Sequence, residues 1–244
     1  LAEPARRLAK DGVPLPPRHA ACLEMLEPAF AVGRGAELYA PAGRLLRAGE
    51  PLVQPGLVDA LDCLVEEGLG SVYRGSIAEA LLAVDGVVLD WADLRAYEAR
   101  WHDPVRLEWH GCRVLTRAGL SGLPELLGRL PRLAGRSEEE RALALVAALD
   151  AAPATETHTT NIVAVDGAGR ACVLTTSLGL GAGAWTPHFD LHLNSMLGEV
   201  DLVVGDLAAG ERMESMMAPT LVLDEDGLVL AIGAAGGTRL RTAL

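Results

Sequence analysis

Aromatic side chains make up only 4% of this 244-residue chain, so its core must be built from Leu, Val and Ala rather than from packed rings. Cysteines are few and scattered. Cys22, Cys63, Cys112 and Cys172 include no Cys-x-x-Cys pair, which argues against a zinc ribbon and against a disulfide framework. Basic charge is also scarce: 21 Lys and Arg stand against 33 Asp and Glu, a net charge of −12, which is the wrong sign for a nucleic-acid surface. No uninterrupted apolar run is long enough to cross a bilayer, so no membrane partner is expected. The first ten residues carry Glu3, Arg6, Arg7 and Lys10, unlike a secretory signal. The chain is expected to be soluble, with the cytoplasm preferred to secretion. It opens on Leu1 and stops abruptly at Thr242-Ala243-Leu244, so both ends read as cut from a longer parent.

What is present is a change of period. Half of the residues are hydrophobic, enough for a sizeable core. Up to residue 158 the pattern is mostly helical: residues 3–10, 18–26, 57–67, 77–82, a helix capped by Asp90, then 120–130 and 137–149. Ser137-Glu138-Glu139-Glu140 reads as a capping box. Residues 40–54, rich in Gly and Pro, read as loop, and residues 104–115 as strand. The tract from Ala151 to Thr157 is a small polar linker. From Thr159 the period becomes two. Strands at 161–165 and 171–177 flank Asp166-Gly167-Ala168-Gly169, a hairpin signal, and a second pair at 221–223 and 228–233 flanks Asp224-Glu225-Asp226-Gly227. A helical first part (1–158) and a strand-rich second part (159–244) predict a mixed α and β fold with an antiparallel sheet.

Several constellations invite a function and fail on context. His188, Asp190 and His192 could share a face as ligands, but no third cluster supports them, so they are expected to be ordinary loop or strand polars and no metal is expected. Gly179, Gly181 and Gly183 match neither the dinucleotide nor the phosphate-loop fingerprint, so no cofactor is expected. No Gly-x-Ser-x-Gly elbow occurs. Thr159 differs in kind. A threonine at a point of chain cleavage carries its own amine beside its hydroxyl, a nucleophile with a built-in base.

Six ordered blocks carry a resemblance. They are Thr159-Thr160 before Val-x-Val-Asp-Gly; Thr175-Thr176-Ser177 with Gly181 and Gly183; Leu193-Asn194-Ser195-Met196-Leu197; Ser215-Met216-Met217-Ala218-Pro219-Thr220; Gly236-Gly237-Thr238-Arg239; and, upstream, Glu50-Pro51-Leu52-Val53-Gln54-Pro55 with Tyr73-Arg74-Gly75-Ser76 and Trp91-Ala92-Asp93-Leu94. Together they resemble the gamma-glutamyltransferase (glutathione hydrolase) family over nearly the whole chain. The resemblance implies an αββα four-layer sandwich of the N-terminal-nucleophile hydrolase type, incomplete here at both ends. It implies self-cleavage between His158 and Thr159, leaving residues 1–158 and 159–244 packed as partners. It further implies Thr159 as nucleophile, the N–H groups of Gly236 and Gly237 as oxyanion hole, and Ser177 holding Thr159 and its amine. Glu199, Ser215 and Asn194 would bind the γ-glutamyl substrate, and water, an amino acid or a peptide would accept the acyl group. This sequence departs from the family at Met216, where a second serine is usual, near Met196, where a glutamine is usual, at Glu199 in place of aspartate, and at Gly179 in place of asparagine. The family's carboxylate-binding arginine lies in an upstream segment not found here. A cephalosporin or glutaryl amidase on the same fold is therefore the nearest alternative, and a non-catalytic fragment is the alternative from another class.

Overall fold

A computed structural model describes residues 2–148, 158–199 and 202–233. The chain divides into two compact units, Leu1–Arg100 with Leu180–Ser195, and Trp101–Gly179 with Met196–Leu244.

The first unit is helical. It runs α1 (Ala2–Asp11), β1 (Val13–Pro14), α2 (Pro17–Met25), α3 (Glu27–Phe30), α4 (Arg34–Tyr39), β2 (Pro51–Leu52), α5 (Pro55–Glu67), α6 (Ser71–Arg74), α7 (Ser76–Leu82) and α8 (Trp91–Ala96). Local chemistry sets the helix limits. Pro55 occupies the first turn of α5, where its missing N–H costs nothing, and Gly68 ends it at φ 78°. Asp90 caps α8 by accepting from the N–H groups of Ala92 and Asp93, and Asp93 answers from its own side chain. α1 packs along α5 and is tied to it by Arg6 and Asp62 (2.5 Å). The core of this unit is Leu15, Ala20, Leu23 and Leu46 with Phe30, Tyr39 and Leu52 around them. Each such leucine contributes about 1.5–3 kcal/mol by leaving water. The helices α3 and α4 interrupt a stretch for which the sequence predicts no element. The 40–54 loop is as expected except for the two-residue pairing of β2 with β1.

The last piece of this unit, residues 180–195, is a narrow double-back. Ala182 and Leu193, Thr186 and Leu191, and Leu193 and Ala184 are joined by backbone hydrogen bonds of 2.9 Å, and its tip spans 187–190.

The second unit runs β3 (Val105–Trp109), β4 (Cys112–Thr116), α9 (Leu123–Arg129), α10 (Glu138–Ala148), β5 (His158–Val165), β6 (Ala171–Gly179), β7 (Thr220–Leu223) and β8 (Leu228–Ile232). One antiparallel sheet has the order β3-β4-β7-β8, and β5 pairs with β6 in another. The single strand predicted over 104–115 is in fact a hairpin. His110 and Gly111 both take positive φ (52° and 86°), the two-residue turn whose twist suits a tight hairpin, and the apolar residues switch there from odd positions (Val105, Leu107, Trp109) to even ones (Cys112, Val114). Val114 of β4 faces Val222 of β7, both buried, and the Thr116 and Thr220 hydroxyls bond to each other at 2.9 Å in the same interior. Leu123, Leu126, Ala148 and Ala218 form a second core. The capping box at Ser137 and Glu140 forms as the sequence predicts.

The β5–β6 hairpin packs against β7 and β8. Along β6 burial alternates, with Ala171, Val173, Thr175 and Ser177 half-buried and Cys172, Leu174, Thr176 and Leu178 exposed. The outer face thus leaves Ile162 and its cross-strand partner Leu174 each more than half exposed.

Candidate functional site

Thr159 stands at the start of β5, half-buried, directly opposite Ser177 of β6. Period two puts Thr159 and Asn161 on one face of β5, and the register sets Ser177 and Thr175 opposite them on β6. Farther along the same face come Val163 and Val165 against Val173 and Ala171. Val163 and Val165 are exposed while Val173 and Ala171 are half-buried, so this face is apolar at one end and lined by three half-buried hydroxyls and a carboxamide at the other. Half-buried polar groups need partners, and Thr175, Asn161 and Ser177 have them. The Thr175 hydroxyl donates to Asn161 Oδ1 (2.8 Å), and Ser177 Oγ accepts from the Gly179 N–H (3.0 Å).

The register breaks at one place. His158 pairs with Gly179 while Thr159 pairs with Ser177, so Leu178 is left over as a bulge opposite the His158–Thr159 peptide bond. A bulge locally bends a strand and re-aims the side chains beside it. Sequence periodicity predicts the strand from Asn161. The structure extends it back through Thr159 to His158.

β8 ends beside this face. A side chain on Gly233 would collide with Asn161, standing 2.6 Å from its Cγ and closer still to its Oδ1. The Asn161 amide thus packs directly against the Gly233 backbone. Neither residue of this contact is marked in the sequence reading, although the period-two face shared with Thr159 was legible. Gly236 and Gly237, the predicted oxyanion pair, lie outside the described residues.

The other predicted binding residues fall as follows. Glu199 follows a 3-10 turn (Met196–Gly198). Its N–H donates to the Met196 carbonyl (3.1 Å), and its carboxylate Oε1 is shielded from solvent. Ser215 is half-buried and accepts from the Met217 N–H (3.1 Å). Met196 and Met216 are half-buried as well. Asn194 is exposed and belongs to the first unit, next to Ser195, whose hydroxyl accepts from the Leu180 N–H (3.0 Å).

The His188, Asp190 and His192 trio has other work. Asp190 is buried and fully engaged: Arg34 reaches it with Nε (2.5 Å) and Nη2 (3.0 Å), and the Gly56 N–H in the first turn of α5 donates to it (2.7 Å). This carboxylate pins the tip of the 180–195 segment to the positive end of a helix. Gly56 is a glycine for space, since a Cβ would sit 2.6 Å from the His188 carbonyl oxygen. The Asp190 and Glu37 carboxylates hold Arg34 above the ordinary guanidinium range. His192 stacks on Trp185 (4.3 Å, 7°) and meets Phe30 edge-on (4.6 Å), and its Nε2 accepts from the Gly183 N–H (3.0 Å). Burial lowers its pKa. A cleft of about 420 Å³ opens beside this cluster; of its charged lining residues Arg34 and Asp190 are paired with each other, and Asp59 is exposed. Among the described residues no group of three His, Cys, Asp or Glu is placed to hold a metal, and no helix is long and apolar enough to cross a membrane.

Comparison with known proteins bears on the same residues. The pattern of the family described as "Gamma-glutamyltranspeptidase" matches residues 1–127 and 135–244. The chain is 24% identical to the glutathione hydrolase proenzyme of Pseudomonas aeruginosa, covering 82% of this chain and 49% of that protein. It is 23% identical to the acylase ACY 1 proenzyme of Pseudomonas sp. (strain V22), covering 98% and 54%. Among solved structures, the cephalosporin acylase from Bacillus halodurans superposes with a TM-score of 0.74 at 20% identity, covering 93% of this chain and 54% of that one, a likeness of fold. The chain thus spans about half the length of the curated relatives it matches. With the family pattern covering nearly every residue, and with the expected mixed helix and sheet in place, this chain belongs to the gamma-glutamyltranspeptidase family.

Proposed function

We propose that the complete protein is an N-terminal-nucleophile acyltransferase or amidohydrolase, that it cleaves itself between His158 and Thr159, and that Thr159 then carries the acyl group. The observation that supports this best is the polar end of the β5–β6 face, with the bulge opposite the bond to be cut. A threonine hydroxyl is a poor nucleophile until a base takes its proton. Cleavage would free the Thr159 α-amine, whose ordinary pKa of about 8 suits that task near neutrality. Thr159 Oγ attacks the amide carbonyl, and the proton passes through the amine to the departing nitrogen. The resulting ester is then opened by water or by the amine of an amino acid or peptide.

The oxyanion is assigned to the N–H groups of Gly236 and Gly237. Gly233 touches Asn161, which is two strand positions from Thr159, a separation of about 7 Å. Three residues span at most about 10 Å, so the sequence separation of Gly236 from Gly233 is compatible with this assignment. Ser177 orients the amine from across the ladder. Residues 1–158 and 159–244 remain packed as two chains, in the four-layer sandwich of this hydrolase type. No cofactor or metal enters the chemistry.

For the acyl group we propose γ-glutamyl, with Glu199 pairing the α-ammonium and with Ser215 and Asn194 donating to the α-carboxylate. A second reading has a specific observation behind it. Met196 and Met216 give the half-buried surface nothing to pair with a charge, and a buried unpaired charge defeats binding, so a glutaryl or cephalosporin-type acyl group is the competing substrate class. The test uses the full-length gene product with γ-glutamyl-anilide and glutaryl-anilide, which differ only by the amine. The γ-glutamyl compound should be preferred, and Glu199→Gln should remove most of the preference. A glutaryl preference indifferent to Glu199→Gln would establish the second reading.

A further inference from the structure

The contact between Asn161 and Gly233 rests on two facts about the backbone. Gly233 does not take a positive φ, so nothing in its own conformation demands glycine. What demands it is space, because a methyl there would stand 2.6 Å from Asn161 Cγ and 3.0 Å from its Nδ2. The absence of a side chain at 233 therefore serves the presence of the one at 161. The Asn161 amide is in turn fixed from the other side, where the Thr175 hydroxyl donates to its Oδ1 at 2.8 Å. A strand position that needed only bulk or β propensity would take Val, as positions 163 and 173 of the same face do. A carboxamide at 161, bonded to Thr175 and packed on Gly233, instead sets the separation of β5 and the end of β8, strands of different sheets.

We infer that Asn161 is a positioning residue: braced by Thr175 and packed on the Gly233 backbone, it fixes the distance between the Thr159 strand and the end of β8, three residues before the proposed glycine pair. This rests on the proposed roles of Thr159 and of the glycine pair. Asn161 itself touches no substrate. It acts by setting how the oxyanion donors meet the tetrahedral intermediate, so its loss is felt in the transition state and not in ground-state binding.

The experiment is a double-mutant cycle on the full-length gene product, assayed with whichever anilide the wild type cleaves better. Asn161→Ala should lower kcat about tenfold with KM within twofold of wild type, because the β8 end is no longer held. Gly233→Ala should lower kcat about a hundredfold, the effect of displacing reacting groups by about 1 Å. In the double variant the space vacated at 161 receives the new methyl, so kcat should recover to the level of Asn161→Ala alone. Asn161→Asp, which keeps the shape and the acceptor for Thr175, should retain most of the turnover. Melting curves on each variant separate these effects from unfolding. Multiplicative losses in the double variant, or wild-type kcat in a folded Asn161→Ala, would overturn the inference while leaving Thr159 as nucleophile. A wild type that is neither cut at Thr159 nor active on either anilide would overturn the proposed function and this inference with it.

Discussion

Two polar clusters, one in each unit, are built on opposite principles. Around Asp190 a buried carboxylate receives two bonds from Arg34 and one from the Gly56 N–H. Opposite charges are matched, the helix end is covered and the geometry is closed. Around Thr159 the bonds seen among the described residues join neutral groups. Three hydroxyls and an amide share a half-buried face, and a hydroxyl can both donate and accept. The first arrangement holds a segment in place, because a paired charge has no capacity left for a visitor. The second can rearrange its protons at little cost, which acyl transfer requires. The cluster of paired charges is therefore not where the chemistry is proposed.

That contrast is most sharply tested by Thr159→Ala. The full-length gene product should run as two chains, the smaller beginning Thr-Thr-Asn, whereas Thr159→Ala should stay as one chain with no measurable turnover and an unchanged melting temperature. N-terminal sequencing that finds only intact wild-type polypeptide after long incubation would remove Thr159 from the chemistry.

A smaller effect of the opposite kind is expected from Arg34→Met. It leaves the buried Asp190 carboxylate with the Gly56 N–H alone, and loss of one partner of a buried pair is costly. Because the Arg34 side chain is itself 38% exposed, water offsets part of the loss, and about 2 kcal/mol is expected in urea unfolding. No change in stability would mean that the clamp holds nothing.

The smallest effect is a pH slope in the first unit. Burial lowers the His192 pKa, so the unfolded chain takes up a proton at this site before the folded one does. The contribution is fully present above the ordinary histidine pKa, about 6.5, and is lost as the pH falls through the lower folded value. The wild type should melt at progressively lower temperature as the pH falls below that point. His192→Gln, which keeps an acceptor for the Gly183 N–H but cannot titrate, should flatten the slope. An unchanged slope would assign it to other groups.

Much of the fold could be read from local pattern. The Ser137 capping box, the Asp90 cap and the β5–β6 hairpin at Asp166-Gly167 form where turn and cap chemistry place them. The His110-Gly111 turn escaped notice because His-Gly is not one of the usual two-residue hairpin signals, although the apolar residues change phase there, and α3 and α4 are too short to show a period. The site was legible only in part. Thr159 and Ser177 face each other as their shared strand pattern allows. The partners of Asp190 were invisible, since Arg34 lies 156 residues away in sequence, and so was the reason for Gly233, since a glycine required for space looks like any other.

The exposed side of the β5–β6 hairpin bears on how the chain behaves in a test tube. Among the described residues these two strands pair only with each other, and Ile162, Leu174 and Leu178 look outward along them. A strand edge that is long, apolar and unpaired is a template on which a second copy can add. A net charge of −12 keeps copies apart while salt is low, and that repulsion is screened over about 8 Å at physiological ionic strength. Handled by itself, this polypeptide should turn cloudy on addition of salt, and the first contacts of the precipitate should run along β5 and β6.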